Sequence, residues 1–170
     1  MKLRTALLLT AGLATMAFAQ GDPSSKLIGK PAPKVKYTTF DGKSTTLAAH
    51  KGKVILLDFW ATWCGPCKAS MPMVQRLAKQ FAGKQVVVLG VSTGEEIKDA
   101  IAYVKKNKYT YKFGGNGDDL ATAFGVSGIP QLYIIDKTGV VRMAKTGFNP
   151  SAEKAEEKEL ATAILKYLGK

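Results

Sequence analysis

The sequence predicts a single α/β domain in which a central mixed β-sheet carries helices on both faces. Two near-continuous apolar runs, 54–59 and 86–91, are typical of strands that are buried on both faces. Each run is followed by a segment whose apolar residues recur at helical spacing, and glycine and polar residues separate these segments. Buried strands that alternate with helices form a sheet that helices cover on both sides.

The flanking elements follow from turn and capping signals. Asp41-Gly42 is a turn signal between residues 35–40 and 44–47, and predicts an N-terminal hairpin. Helical spacing predicts helices over 67–81 and 95–106, the second within a central insertion over 95–113. The other predicted elements are a short strand or extended connector over 109–113, a loop over 114–117, a short helix to Phe124 capped by Asp118 or Asp119, strands over 131–136 and 140–146, and a final helix capped by Ser151.

The amino terminus predicts export. Lys2 and Arg4 precede a short apolar run that ends in Ala17-Phe18-Ala19, which is the pattern of a secretory signal peptide cleaved after Ala19. We therefore expect a signal peptide over 1–19, a leader over 20–30 and one domain over 31–170, in a periplasmic or other extracytoplasmic space. If the peptide is not cleaved, it would anchor the protein to the membrane.

The charge of the chain predicts a basic, solvated surface. The formal net charge is +12, but the lysines are spread along the chain and form no run longer than a pair such as Lys105-Lys106. A dispersed positive charge is more typical of a solvated surface than of a nucleic-acid site. We expect a monomer that binds neither nucleic acid nor a metal. His50, the only histidine, is expected at the surface.

The chain has only two cysteines, Cys64 and Cys67, and two residues separate them. They lie between the strand over 54–59 and the helix that follows it, and a C-x-x-C at such a junction indicates a redox-active dithiol. A bridge over so short a loop removes little entropy from the unfolded chain, so the pair suits cycling better than structural cross-linking. The expected redox group is thus the Cys64–Cys67 disulfide, with no other cofactor.

The position of Cys64 at the start of a helix predicts its chemistry. Unpaired N–H groups at a helix amino terminus favour negative charge, so we expect the pKa of the Cys64 thiol to be lowered and its thiolate to attack substrate disulfides. Cys67, one turn inside the helix, is expected to be buried and protonated and to resolve the mixed disulfide. Pro66 suits the start of a helix, and Gly65 leaves the sulfur accessible.

Asp58 is the third candidate catalytic residue. It ends an otherwise apolar strand six residues before Cys64. Burial raises the pKa of a carboxyl group, and a carboxylate with a raised pKa can accept the proton of Cys67 through water. The alternative is a strand-end aspartate that reaches solvent or caps a turn.

The segment 58–68, Asp-Phe-Trp-Ala-Thr-Trp-Cys-Gly-Pro-Cys-Lys, resembles the active-site segment of thioredoxins. Pro72 in the following helix and Gly128-Ile129-Pro130 before a strand extend the resemblance. The N-terminal hairpin and the central insertion resemble the exported TlpA/ResA kind within the redoxin superfamily. The resemblance implies a thioredoxin-like fold.

At the matched positions the resemblance implies a cis Pro130 against the dithiol, an Ile129 backbone that pairs with substrate, and Trp63 as a contact surface beside Gly65 and Pro66. Thioredoxins usually carry a lysine on the strand after Asp58, and residues 85–92 contain none. Several exported relatives keep a glutamate near the dithiol, for which Glu95 and Glu96 are the candidates.

The Gly-Pro centre resembles that of reducing members and implies a protein-disulfide reductase. Its substrates would be oxidised exported proteins or apocytochromes during cytochrome c maturation, and a membrane electron carrier would re-reduce it. Alternatives are an oxidase or isomerase on the same scaffold, or a non-catalytic copper-binding protein, since thiolates suit Cu(I). A peroxidase is disfavoured because Thr62 lies one residue too near Cys64 for a Thr-x-x-Cys motif.

Overall fold

The computed structural model describes residues 23–169, so the expected signal peptide over 1–19 lies outside the described residues. Seven strands form one mixed sheet in the order β2-β1-β5-β4-β3-β6-β7. The strands are β1 Lys36–Thr39, β2 Ser44–Thr46, β3 Val54–Trp60, β4 Val86–Ser92, β5 Lys112–Gly115, β6 Gln131–Ile135 and β7 Val141–Thr146. The helices are α1 Gly65–Gln80, α2 Ile97–Asn107, α3 Asp118–Phe124 and α4 Glu153–Leu168.

The two apolar runs form the centre of the sheet, as predicted. β3 and β4 pair in parallel, and every residue of β3 is buried. Alternate residues of a strand face opposite sides, and β3 accordingly divides between two hydrophobic clusters. Leu56 and Trp60 pack with residues of α1, α2 and α4, whereas Leu57 and Phe59 pack with residues of α3. Helices therefore cover both faces, and the predicted fold class is confirmed.

The glycine-rich segment after the insertion differs from the prediction. Gly114 and Gly115 were expected in a loop, but both belong to β5 and pair with β1. A β-carbon at Gly114 would lie 2.6 Å from Cδ2 of Tyr37 and 2.8 Å from the carbonyl oxygen of Thr38. Glycine is needed because β1 approaches the backbone of β5 too closely for a side chain, and sequence patterning does not reveal such a contact.

Two predicted helix caps were wrong. Gly117 occupies the N-cap position of α3, and the Asp118 carboxylate instead accepts hydrogen bonds from the Gly94 backbone N–H at 2.7 Å and the Thr93 hydroxyl at 2.9 Å. The N-cap residue of α4 is Ala152 rather than Ser151. Asn149 instead caps the preceding 3₁₀ turn, Pro150–Ala152, where its side chain accepts a hydrogen bond from the Ser151 N–H.

The residues before the hairpin lie along β7. Ser24 is buried, the Gly29 N–H donates to the Val141 carbonyl oxygen at 2.8 Å, and Pro31 bridges to Val140. This contact places the start of the described chain at the edge of the sheet opposite the hairpin, which forms the other edge. No helix within residues 23–169 is both long enough and apolar enough to span a membrane.

Candidate active site

The two cysteines form a disulfide at the amino terminus of α1. The sulfurs of Cys64 and Cys67 are bonded at 2.02 Å. Cys64 is the N-cap residue, and its sulfur accepts a hydrogen bond from the Cys67 backbone N–H at 3.1 Å. A helix amino terminus holds unpaired N–H groups and favours negative charge. The position supports the prediction that Cys64 carries the thiolate when the pair is reduced.

The sequence between the cysteines shapes the first turn of the helix. Gly65 and Pro66 are its first two residues, where the proline removes only an N–H that has no partner within the helix. Cys64 remains 5% exposed, while Cys67 is completely buried. An incoming substrate sulfur can therefore reach Cys64 but not Cys67, which is the asymmetry that a nucleophile and a resolving thiol require.

The loop before β6 lies against the disulfide. The Ile129–Pro130 peptide bond is cis, as the resemblance implied. The Ile129 carbonyl oxygen lies 3.6 Å from the Cys64 sulfur. Pro130 is buried, and its carbonyl oxygen accepts a hydrogen bond from the Gly147 N–H at 2.8 Å. The loop thus places backbone groups beside the reactive sulfur.

Asp58 lies on the sheet face that α1 covers. Residues two apart on a strand share a face, so Asp58 lies on the same face as Leu56 and Trp60, which pack in the same cluster as Cys67. Asp58 is completely buried, and neither of its carboxylate oxygens has a hydrogen-bond partner within the described part of the chain. Burial raises the pKa of Asp58 from 3.8 to about 7. The alternative of a strand-end aspartate in solvent is wrong, because the strand continues to Trp60 and α1 covers it.

Glu95 holds the loop that leads into Cys64. Its Oε2 accepts a hydrogen bond from the Thr62 backbone N–H at 2.9 Å and another from the Thr62 hydroxyl. Glu96, the other candidate, is exposed at the N-cap of α2. Of the two glutamates, Glu95 is therefore the one at the dithiol loop. The sequence pattern identified both glutamates as candidates but could not show which one contacts the dithiol loop, because that contact depends on how the loop after β4 folds back.

Trp63 forms one wall of a surface groove beside the disulfide. Its side chain is 63% exposed, and its Nε1–H donates to the Gly94 carbonyl oxygen at 3.1 Å, which fixes the ring. Opposite it lie residues 126–129, and the groove between them has a volume of about 300 Å³. An exposed, oriented indole beside an accessible sulfur is suited to contact an extended peptide.

Other sequence candidates lie apart from this site. Met71 and Met73 are completely buried and pack in the core. His50 lies in a 3₁₀ turn, Leu47–His50, with its Nε2 3.3 Å from the Tyr37 hydroxyl. Burial and the nearby charges of Lys112 and Lys53 lower the pKa of His50. Within residues 23–169, no group of three or more histidine, cysteine, aspartate or glutamate side chains is arranged to hold a metal ion.

Comparison with known proteins agrees with this geometry. The model of the AhpC/TSA family matches residues 28–144. The thiol-disulfide oxidoreductase ResA of Bacillus anthracis is 33% identical over 141 residues, which cover 79% of this chain and 80% of ResA. The thiol:disulfide interchange protein DsbE of Escherichia coli strain K12 is 33% identical over 153 residues, covering 84% of this chain and 80% of DsbE.

Solved structures of thiol–disulfide oxidoreductases resemble the fold of this chain. A crystal structure of a protein described as a thiol:disulfide interchange protein DsbE from Chlorobium tepidum superimposes with a TM-score of 0.73 at 28% sequence identity. The superposition covers 81% of this chain and 97% of that protein. Fold, disulfide and relatives agree, and this chain belongs to the AhpC/TSA family as a thiol–disulfide oxidoreductase similar to ResA and DsbE.

Proposed function

We propose that this protein is exported and reduces disulfide bonds in other exported proteins or in apocytochromes. The observation that carries the proposal is the arrangement of three groups. Cys64 lies at a helix amino terminus beside the groove, Cys67 is buried behind it, and a buried Asp58 without a partner lies on the sheet face beneath. This supplies a nucleophile, a resolving thiol and a proton acceptor.

The first half of the cycle forms a mixed disulfide. The Cys64 thiolate attacks one sulfur of the substrate disulfide, which breaks the substrate S–S bond and releases its other sulfur as a thiolate. The Trp63 ring and the Ile129 carbonyl oxygen hold the substrate segment in the groove. The released thiolate takes a proton from water.

The second half returns the enzyme to the form seen in the structure. Cys67 gives its proton to the Asp58 carboxylate, and the resulting thiolate attacks the Cys64 sulfur. The mixed disulfide breaks, the second substrate sulfur leaves as a thiolate that takes a proton from water, and Cys64–Cys67 is the oxidised product. Because the pKa of Asp58 is about 7, the carboxylate is available near neutral pH, and we expect resolution to accelerate as the pH rises through that value.

The cycle needs two electrons and two protons to begin again. An exported space offers little glutathione, so we propose a membrane electron carrier as the donor. The relative ResA is named a thiol-disulfide oxidoreductase and the relative DsbE a thiol:disulfide interchange protein, and both names support thiol–disulfide exchange as the chemistry. Export itself is tested by the amino terminus of the mature protein, which should be Gln20.

The reductase activity is tested by turbidity during insulin reduction with dithiothreitol as electron donor. Wild-type protein should accelerate precipitation, while Cys64→Ser and Cys67→Ser should not, and circular dichroism should show all three folded. Wild-type activity no higher than that of either variant would refute the proposal.

The direction of electron flow is tested by the equilibrium potential of the Cys64–Cys67 pair against glutathione. We expect a value nearer the about −270 mV of thioredoxin than the about −120 mV of DsbA. A value at the oxidising end would favour the oxidase or isomerase instead. Tight stoichiometric Cu(I) binding without turnover would favour the copper-binding alternative.

A further inference from the structure

Three of the buried polar groups that make no hydrogen bond within the described chain lie around one position of the sheet: the Asp58 carboxyl group, Nε1–H of Trp60 and the hydroxyl of Tyr111. The Ser92 hydroxyl, on the same face, also makes none, but it lies beside Gly115. Trp60 is completely buried and Tyr111 is 9% exposed. Buried polar groups are almost always hydrogen-bonded, either to protein or to ordered water. One acceptor and two donors without partners in the same region therefore call for a common explanation.

The strand register brings these groups together around Gly90. Asp58 on β3 pairs with Gly90 on β4, which in turn pairs with Phe113 on β5. Gly90 has no side chain, and the Trp60 indole and the Phe113 ring extend over it. A β-carbon at Gly90 would lie 3.1 Å from Trp60 Nε1 and 3.0 Å from the nearest atoms of the Phe113 ring. The indole N–H thus lies above the residue next to Asp58.

Tyr111 lies immediately before β5 and packs in the same hydrophobic cluster as Trp60 and Phe113. Its ring packs against Phe113 with centroids 4.1 Å apart. Burial raises the pKa of Tyr111 well above its usual value, and the negative charge of Asp58 raises it further. At neutral pH the hydroxyl therefore keeps its proton and can only donate that proton to a neighbouring acceptor or accept from another donor.

The other titratable groups that face Asp58 and Tyr111 come from α1, α2, the segment before β5, and β7. Cys67 approaches from α1, Tyr103 of α2 packs against Trp60, and Tyr109 packs against Tyr111. Across β6, Leu132 separates Asp58 from Lys145. The Lys145 ammonium group lies 3.3 Å from Glu159 and 3.8 Å from Glu156 on α4. Asp58 forms no ion pair with any residue in the range 23–169, so hydrogen-bond donors are what could stabilise its charge.

We propose that Trp60 and Tyr111 hold ordered water against Asp58, and that Tyr111 is a positioning residue that stabilises the Asp58 carboxylate before it accepts the Cys67 proton. The indole N–H and the phenol O–H donate, water passes a hydrogen bond on to the carboxylate, and Tyr111 itself stays neutral. This inference rests on the proposed reductase cycle. It assigns a role to a tyrosine that lies outside the thioredoxin-like motif.

The test is titration of the Asp58 carboxyl carbon by ¹³C NMR in the disulfide form of the protein. Tyr111→Phe keeps the ring and removes the donor, so the carboxylate loses stabilisation and the pKa of Asp58 should rise by about one unit, a tenfold change. Tyr109→Phe is the matched control, because it removes a hydroxyl from the adjacent, half-buried ring. An Asp58 pKa that is the same in Tyr111→Phe as in wild type would overturn the inference.

The activity profile gives a second measurement. The pH at which insulin reduction reaches half its maximum should move upward in Tyr111→Phe by the same amount. If wild-type protein reduces no insulin, the proposed function fails, yet the titration of the disulfide form still tests Tyr111. If Tyr111→Phe does not fold, 3-fluorotyrosine at position 111 provides a stronger donor and should lower the pKa of Asp58, and no shift there would overturn the inference.

Discussion

Replacing the buried carboxyl group by an amide, Asp58→Asn, should change how the stability of this protein depends on pH. Asp58 is completely buried, and its pKa is about 7 in the folded protein against 3.8 for an ordinary aspartate. Below pH 3.8 the group is protonated in both the folded and the unfolded chain and has no effect. Between pH 4 and 7 the unfolded chain ionises first, so the free energy of unfolding falls as the pH rises.

The size of this effect follows from the shift. One pKa unit corresponds to about 1.4 kcal/mol, so the full penalty above pH 7 is about 4 kcal/mol, of which roughly 2–3 kcal/mol develops between pH 5 and pH 8. Asparagine cannot ionise, and whatever its amide costs in this site is independent of pH. Over that interval, the free energy of unfolding of the variant should therefore rise by roughly 2–3 kcal/mol relative to that of wild type.

The assay is urea unfolding of the disulfide form, followed by tryptophan fluorescence at pH 5, 6, 7 and 8. Asp99→Asn is the matched control, because it removes the same charge from an exposed position on α2. Its free energy of unfolding should remain parallel to that of wild type. If Asp58→Asn also stays parallel to wild type, Asp58 does not have a raised pKa, and its assignment as the proton acceptor near neutral pH is refuted.

Two further predictions concern the contacts that build the site and the sheet. Glu95→Ala leaves the Thr62 N–H without its acceptor and should lower the free energy of unfolding, measured in urea, by about 1–3 kcal/mol. The control is Glu96→Ala at an exposed position, and equal effects of the two variants would show that the Glu95–Thr62 hydrogen bond does not stabilise the protein. Gly114→Ala forces a β-carbon against Tyr37 and the Thr38 carbonyl oxygen and should cost about 1–3 kcal/mol in the same assay, whereas Gly128→Ala, which meets open space, should cost much less.

The redox centre is the part of the site that local sequence predicts well. Cys64 and Cys67 are the only cysteines, and their spacing and position between a strand and a helix are sufficient to predict a disulfide at a helix amino terminus. The cis Pro130 came from resemblance, since an X-Pro bond by itself has only about a 5–6% chance of being cis in a folded protein.

The surroundings of Asp58 could not be predicted in the same way. The sequence shows an aspartate in an apolar strand, but the groups around it, Trp60, Gly90 and Tyr111, come from three strands or their extensions. The two-residue spacing of Tyr111 and Phe113 indicates that they lie on the same face of a strand. The segment 109–113 is too short, however, to predict how it pairs with β4. Glu95 was likewise one of two neighbouring candidates until the loop after β4 was seen to fold back on Thr62.

The sequence by itself determined the fold class and the dithiol, because hydrophobic periodicity and the spacing of two cysteines act over a few consecutive residues. Only the tertiary structure decided which groups surround the buried carboxylate, why β5 requires glycine, and which glutamate holds the loop before Cys64. Those features depend on contacts between residues that are more than 20 positions apart. The closeness of such residues is fixed by strand register and packing, which local pattern does not encode.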